Sequence, residues 1–300
     1  MNIPIKTLHC FITLVETGNY TRAAEKLYLT QPTLSKMIQR LEEQLGQQLL
    51  LRNNQKITLT QAGTLFETSA RQMLGQWHRL EQDMHDLSGV KSGVLRLGVC
   101  PMMSSLFIGL LMEYRRRYPG ITLEMHEYGG FGCERALIHD TLDIAFTALP
   151  TVHDDELAHE PLSRYPLMAC LPNQHQLISK PELCWADFAD HPFILYNEDF
   201  SLAKIISRLS NDAGVKLNIA FRSGQWDFLA SMVEAEMGLA LLPEPICRKL
   251  DSSELTFRPM NPPLTWDLGL IWRRNLPLTP AAKALLELTQ ELNASHESNT

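Results

Sequence analysis

The sequence predicts a multidomain chain: a small all-α N-terminal domain, closed by a hairpin and extended by a linker helix, precedes a larger α/β domain built as two lobes. Three observations carry this expectation. Helical apolar spacing with a hairpin behind it fills the first sixty residues, a seven-residue apolar repeat runs on from there, and strand-like runs then alternate with helical segments. The 300 residues are 45% hydrophobic and 20% charged, which is ordinary soluble usage and excludes a disordered chain. At roughly 100 to 200 residues per domain, two or three cores are expected.

Composition narrows the function classes. No stretch reaches the ~18 apolar residues of a membrane helix, and Met1 to Lys6 has no basic flank leading into an apolar core, so neither export nor a membrane partner is expected. The six cysteines, at 10, 100, 133, 170, 184 and 247, show no C-x-x-C pairing, which argues against a zinc ribbon or disulfide framework and for a cytoplasmic location. Net charge is −7, yet residues 1–60 hold seven Lys/Arg against four Asp/Glu, a local +3 that leaves −10 for the rest. That asymmetry suits a small nucleic-acid module on an acidic body.

Leu8, Phe11, Ile12 and Val15 recur at i, i+3, i+4, i+7 and define a first helix ending near Gly18. Thr21 is expected to cap a second helix with small surfaces at Ala23 and Ala24, and Tyr28 and Leu29 form the following turn. Thr30 caps a third helix with Pro32 in its first turn and Leu34, Ile38, Leu41 and Leu45 as its buried stripe. The opposite face carries Pro32, Lys36, Gln39 and Arg40, with Gln31, Thr33 and Ser35 around the first turn. Short polar groups beside cations are what a helix needs to read base edges and meet phosphates in a major groove. An ordinary amphipathic helix is the alternative, and Glu42 and Glu43 lower the local charge.

Leu49 to Arg52, Asn53 to Lys56 and Ile57 to Thr60 read as strand, polar turn and strand. Arg52, Asn53 and Lys56 would track phosphates from such a wing, or else decorate a solvated tip; behind three short helices the wing is favoured. Thr60 then caps a long helix in which Phe66, Ala70, Met73, Trp77, Leu80, Met84 and Leu87 alternate by four and three, a narrow seam for a partner helix. Phe66, Met73, Trp77, Leu80, Met84 and Leu87 are the dimerisation candidates, with packing on the chain's own body as the alternative. Ser88 to Gly93 reads as a hinge, giving modules at 1–60, 61–89 and 90–300.

In the acidic body, strands are expected at Val94 to Cys100, Ile121 to Tyr128 and Asp143 to Phe146, with helices near Leu106 to Tyr118 and Glu134 to Asp140 between them. Such alternation implies a parallel sheet with right-handed crossovers. A second set follows: strands at Leu167 to Leu171, Phe193 to Tyr196 and Lys216 to Ser223, helices at Leu202 to Ala213 and from Gln225 toward Met237, and a buried strand and turn at Gly238 to Pro243. Trp266 to Trp272 and a helix from Pro280 to Leu292 return to the first lobe, so lobe I spans about 93–162 and 266–293 and lobe II about 166–263. Ligands sit beyond the carboxyl ends of such strands. The cleft candidates are therefore Cys100, Met102, Met103, Ser104, Ser105, Phe131, Thr147, Asn197, Phe200, Gln225 and Trp226. Helix N-termini there suit a small organic acid. Methionines beside Trp226 and Phe131 hint at a partly apolar or aromatic ligand, or are simple packing.

A search for catalytic groups yields no pair. Cys133 and His139 meet only loosely on a helix, His153 to Glu156 reads as an exposed acidic loop, and the ten histidines lack metal-site spacing. No metal or cofactor is expected, and Cys100 is either a reactive thiol or a buried one.

Several stretches together resemble the LysR-type transcriptional regulators over nearly the whole chain. They are Thr21-Arg22-Ala23-Ala24-Glu25-Lys26-Leu27, Gln31-Pro32-Thr33-Leu34-Ser35, Leu41-Glu42-Glu43-Gln44-Leu45-Gly46, Leu59-Thr60-Gln61-Ala62-Gly63 and Ser231 to Pro243. Departures are Lys36 where arginine is frequent, Leu50 where phenylalanine is usual, Cys100 where serine or threonine is common, and Glu236 in place of a small residue. The resemblance implies a winged helix-turn-helix with a linker helix, then a two-lobed, periplasmic-binding-protein-like effector domain. It further implies promoter DNA, a small-molecule effector, RNA polymerase and further copies of the chain, as a dimer of dimers, for partners. A solute-binding receptor and a two-lobed metabolite-converting enzyme are the alternatives.

Overall fold

The computed structural model describes residues 2–53, 56–86, 93–250 and 253–297, in two compact units. The first contains α1 (Ile5–Thr17), α2 (Tyr20–Lys26), α3 (Gln31–Leu45), the hairpin β1 (Leu50–Asn53) and β2 (Lys56–Leu59), and the long α4 (Gln61–Asp86). One apolar core holds it together. Leu8, Phe11 and Leu14 of α1, Ala23 and Ala24 of α2, and Leu34, Ile38 and Leu41 of α3 pack with Leu49, Leu50 and Ala70. Leu45, the last residue of the expected stripe, is only half-buried.

The caps follow local chemistry. Thr21 is not the cap of α2. Asn19 is, its Oδ1 accepting the amides of Thr21 and Arg22 at 2.8 and 3.1 Å, while Thr21 already lies in the first turn. Thr30 does cap α3, accepting the Thr33 amide at 3.4 Å, and Thr60 accepts the Gly63 amide at 2.9 Å where α4 begins. A Cβ on Gly63 would stand 2.0 Å from the Leu49 carbonyl oxygen, so α4 leaves the wing through a gap only glycine fits.

The second unit runs β3 (Gly93–Val99), α5 (Ile108–Arg117), β4 (Ile121–Glu127), α6 (Gly130–Ile138), β5 (Ile144–Leu149) and β6 (Leu157–Pro172). It continues with β7 (Pro192–Tyr196), α7 (Ser201–Asp212), β8 (Asn218–Ser223), α8 (Trp226–Glu234), β9 (Ala240–Pro243), α9 (Glu244–Cys247), β10 (Leu255–Pro259), β11 (Thr265–Arg273) and α10 (Pro280–Glu297). In the first lobe β4, β3 and β5 lie parallel, but β11 and then β6 add antiparallel, so the sheet is mixed rather than parallel as expected. In the second lobe β9 and β10 flank β6 antiparallel, and the Ile194 amide donates to the Leu239 carbonyl at 2.8 Å to join the parallel β7–β8 pair.

β6 departs furthest from the sequence reading. It is 16 residues long and serves both sheets: Leu157 to Pro166 pairs with β11, and Leu167 to Pro172 pairs with β9 and β10. Pro161 and Pro166 disguised its first part. Pro161 sits where the register shifts opposite Gly269, and Pro166 where the strand changes sheets. The stretch between β10 and β11 crosses beside it, the Leu167 amide donating to the Leu264 carbonyl at 2.9 Å. α10 returns to the first lobe, where the Tyr114 hydroxyl donates to the Ala281 carbonyl at 2.8 Å.

Candidate nucleic-acid interface and effector cleft

On α3, burial of Leu34, Ile38 and Leu41 turns the other face outward. Thr30, Gln31, Pro32, Thr33, Lys36, Gln39 and Arg40 are exposed and Ser35 is half-buried. Gln39 is not an idle surface amide: its Nε2 donates to Glu43 Oε1 at 3.0 Å, so Glu43 aims it. Glu42 has a different task from lowering the charge of this face. Its Oε1 accepts the amides of Leu49 and Leu50 at 2.7 and 3.1 Å, tying the first wing strand to the helix. The wing pairs Leu50 with Leu59 and Asn53 with Lys56. The side chains of Arg52, Asn53 and Lys56 lie outside the described residues.

Along α4 the expected seam divides. Phe66 is half-buried with its ring 5.0 Å from Phe11 in an edge-to-face contact, and Ala70 belongs to the same core, so this part of the stripe packs on its own module. Met73, Trp77, Leu80 and Met84 are all exposed, between 43% and 62%. Leu87 lies outside the described residues. Arg71 fixes the base of this helix, pairing with Glu67 at 2.9 Å and with Glu16 of α1 at 3.0 Å.

In the larger unit, the ends of β3, β4 and β5 face the ends of β7 and β8. α6 begins at Gly130, earlier than the sequence reading placed it, because its glycines meet the other lobe. A Cβ on Gly130 would stand 1.9 Å from Ser201 Oγ and 3.0 Å from Thr147 Oγ1, and one on Gly129 would stand 2.5 Å from the Asp199 carbonyl oxygen. The Phe131 amide donates to that carbonyl at 3.4 Å, and Lys204 Nζ lies 3.8 Å from the Phe131 ring centroid. Thr147 is fully buried and its hydroxyl has no partner among the described residues. Phe200 precedes α7 and its side chain does not cap it. Hydroxyls of Thr147 and Ser201 and the starts of α6 and α7 are thus brought together. Ser201 was missed because its helix starts one residue earlier than the apolar spacing indicates.

The other cleft candidates divide between wall and rim. Met102, Met103 and Phe200 are buried core side chains rather than open lining, with Phe107 stacked on Phe146 at 4.0 Å beside them. Asn197 and Gln225 are exposed and Trp226 is half-buried against the core. Ser104 and Ser105 occupy the 3-10 turn Pro101–Leu106, and their side chains lie outside the described residues. Burial, and then the charge of Asp199, pushes the Cys100 thiol up to about 12, which keeps it protonated at neutral pH and opposes a reactive-thiol role. The same effect of burial raises Cys133.

The loop at His153 is not a free acidic loop. Fully buried Glu134 accepts the amides of Val152 and His153 at 3.0 and 3.1 Å and lies 2.9 Å from His153 Nδ1, clamping the loop to α6. Among the described residues no group of three or more His, Cys, Asp or Glu side chains is placed to hold a metal ion, and no helix is long and apolar enough to cross a membrane.

Comparison with known proteins aligns with this geometry. Residues 5–64 match the bacterial regulatory helix-turn-helix proteins of the lysR family, and residues 88–294 match the LysR substrate binding domain. The uncharacterised HTH-type transcriptional regulator YwbI of Bacillus subtilis (strain 168) is 34% identical over 289 residues, 95% of each chain. The nitrogen assimilation regulatory protein nac of Escherichia coli (strain K12) is 30% identical, covering 97% of this chain and 95% of that protein. Among solved structures, full-length CbnR complexed with its target DNA superposes with a TM-score of 0.67 at 20% identity, over 96% of this chain and 99% of that one.

Proposed function

The chain belongs to the LysR family of bacterial transcriptional regulators, and from that premise we propose how its own residues divide the work. It is a DNA-binding transcriptional regulator with an effector-binding domain. α3 enters a major groove, with Gln31, Thr33 and Gln39 at base edges and Lys36 and Arg40 at phosphates, while Arg52, Asn53 and Lys56 of the wing follow the backbone. Met73, Trp77, Leu80, Met84 and Leu87 pair α4 with a second copy, and the modules fall at 1–60, 61–89 and 90–300. Two such pairs assemble a tetramer across two half-site pairs, in the cytoplasm and in contact with RNA polymerase.

The effector is a small organic anion held in the cleft. The observation that carries this is the buried hydroxyl of Thr147, which has no partner among the described residues and lies beside Ser201 and the starts of α6 and α7: a carboxylate supplies the acceptor this hydroxyl lacks. Phe131 and Trp226 give the pocket an apolar side that suits a partly apolar or aromatic acid. Binding changes the angle between the lobes and hence the spacing of the DNA modules, and it acts only through a difference in affinity between the two arrangements. No catalytic role is assigned to any residue.

Genome-wide capture of bound DNA, followed by titration of organic acids against the recovered fragments, tests both halves. Discrete enriched fragments whose affinity responds to one acid are expected. Uniform recovery would refute sequence reading, and a Thr147→Val variant that keeps the acid response would move the pocket elsewhere.

A further inference from the structure

Tyr28 occupies the turn between α2 and α3 with φ of +54°, and the residue is 97% exposed. The turn itself requires a left-handed residue. The Tyr28 amide donates to the Glu25 carbonyl at 3.1 Å and the Leu29 amide reaches back to the Ala24 carbonyl at 2.8 Å, so the chain reverses sharply at this one position. Glycine or asparagine adopts that conformation at little cost, whereas a bulky side chain there is strained. Packing among the described residues does not offset that strain, because a residue so exposed buries almost no apolar surface. The turn needs left-handed backbone; it has no use for a phenol.

What lies outside the chain at this point is set by α3. Tyr28 stands two residues before the cap Thr30 and three before Gln31, and all three are exposed at the start of the helix that enters the groove. Beside the base edges a groove presents phosphate oxygens and deoxyribose, and a phenol fits both, with a hydroxyl that donates to phosphate and a ring that covers the sugar. We propose that Tyr28 is a DNA-backbone contact, kept in a strained turn because its exposed phenol grips the phosphate next to the recognition helix. The proposal rests on the DNA-binding reading of α3 and adds an uncharged contact to it. An uncharged donor releases no counterion when it binds, so its removal weakens binding without changing the salt slope, unlike removal of a lysine.

The test uses the full chain with two probes: a mixed-sequence duplex of about 30 base pairs, and the chromosomal fragment most enriched by the unaltered protein. Tyr28→Asn is expected to raise the melting temperature of the N-terminal module and to weaken binding to both probes by about tenfold at unchanged salt slope. Tyr28→Phe, which keeps the ring, is expected to lose about threefold with the melting temperature unchanged. Wild-type affinity in Tyr28→Asn would overturn the proposal. So would a loss confined to the chromosomal fragment, which would make Tyr28 a base reader, or a fall in affinity accompanied by a lower melting temperature in both variants. Failure of the unaltered protein to hold either duplex would overturn this contact together with the reading of α3.

Discussion

Lys36 and Glu42 show how far a side chain's meaning depends on its neighbours. Both lie on α3, yet Lys36 is exposed while Glu42 is turned back on the wing. Lys36→Glu is expected to weaken duplex binding and to flatten its logarithmic salt dependence by about one, the signature of one lost phosphate contact; an unchanged slope in a salt titration would remove Lys36 from the interface. Glu42→Ala leaves the amides of Leu49 and Leu50 without their carboxylate. It is expected to cost about 1.5–3 kcal/mol of module stability and to speed hydrogen exchange at those two amides ahead of the rest. Undisturbed exchange there would mean that β-pairing alone holds the wing. The exposed row on α3 was legible from helical periodicity, because burial and exposure follow a 100° step. The role of Glu42 was not, since an acceptor seven and eight residues away leaves no periodic trace, and Asn19 took the cap from Thr21 for a similarly local reason.

At the scale of elements, α4 joins two kinds of surface in one helix. Near its start Phe66 and Ala70 belong to the core of the first unit; beyond it Met73, Trp77, Leu80 and Met84 are bare. Four large apolar side chains repeating along one stripe suit a helix partner. Leu80→Asp is expected to shift the sedimentation profile to the smaller species while leaving the far-ultraviolet helix signal intact, and an unaltered profile would assign assembly to another surface. Heptad spacing marks the whole row from Phe66 onward alike, because spacing does not say that Phe66 and Ala70 also pack on their own module while the later residues are exposed. α6 offers the complementary lesson. Its glycines read as a loop, yet they start a helix, since only a residue without a side chain can approach Ser201 and Asp199 so closely. Gly130→Ala is expected to destabilise the larger unit by about 1–3 kcal/mol through overpacking, and Ser201→Gly in the same chain is expected to recover most of that loss in thermal melts. No recovery in the double variant would show that the two residues do not press on each other.

For the whole molecule, the alternation of strands and helices was enough to separate a helical head from a two-lobed body and to return the last helix to the first lobe. The mixed order of the first sheet and the reach of β6 were hidden, the latter by two prolines that normally mark a strand's end. The first lobe is not one uninterrupted length of polypeptide: β6 runs out of its sheet into that of the second lobe, and the return at Met260 to Leu264 lies alongside it. No single cut therefore yields an autonomous half, and heat or denaturant should melt the pair in one cooperative step. A wild-type fragment stopping at Pro166 should recover as insoluble material, since it lacks β11 and leaves β5 and the first part of β6 without the strand that both were built against.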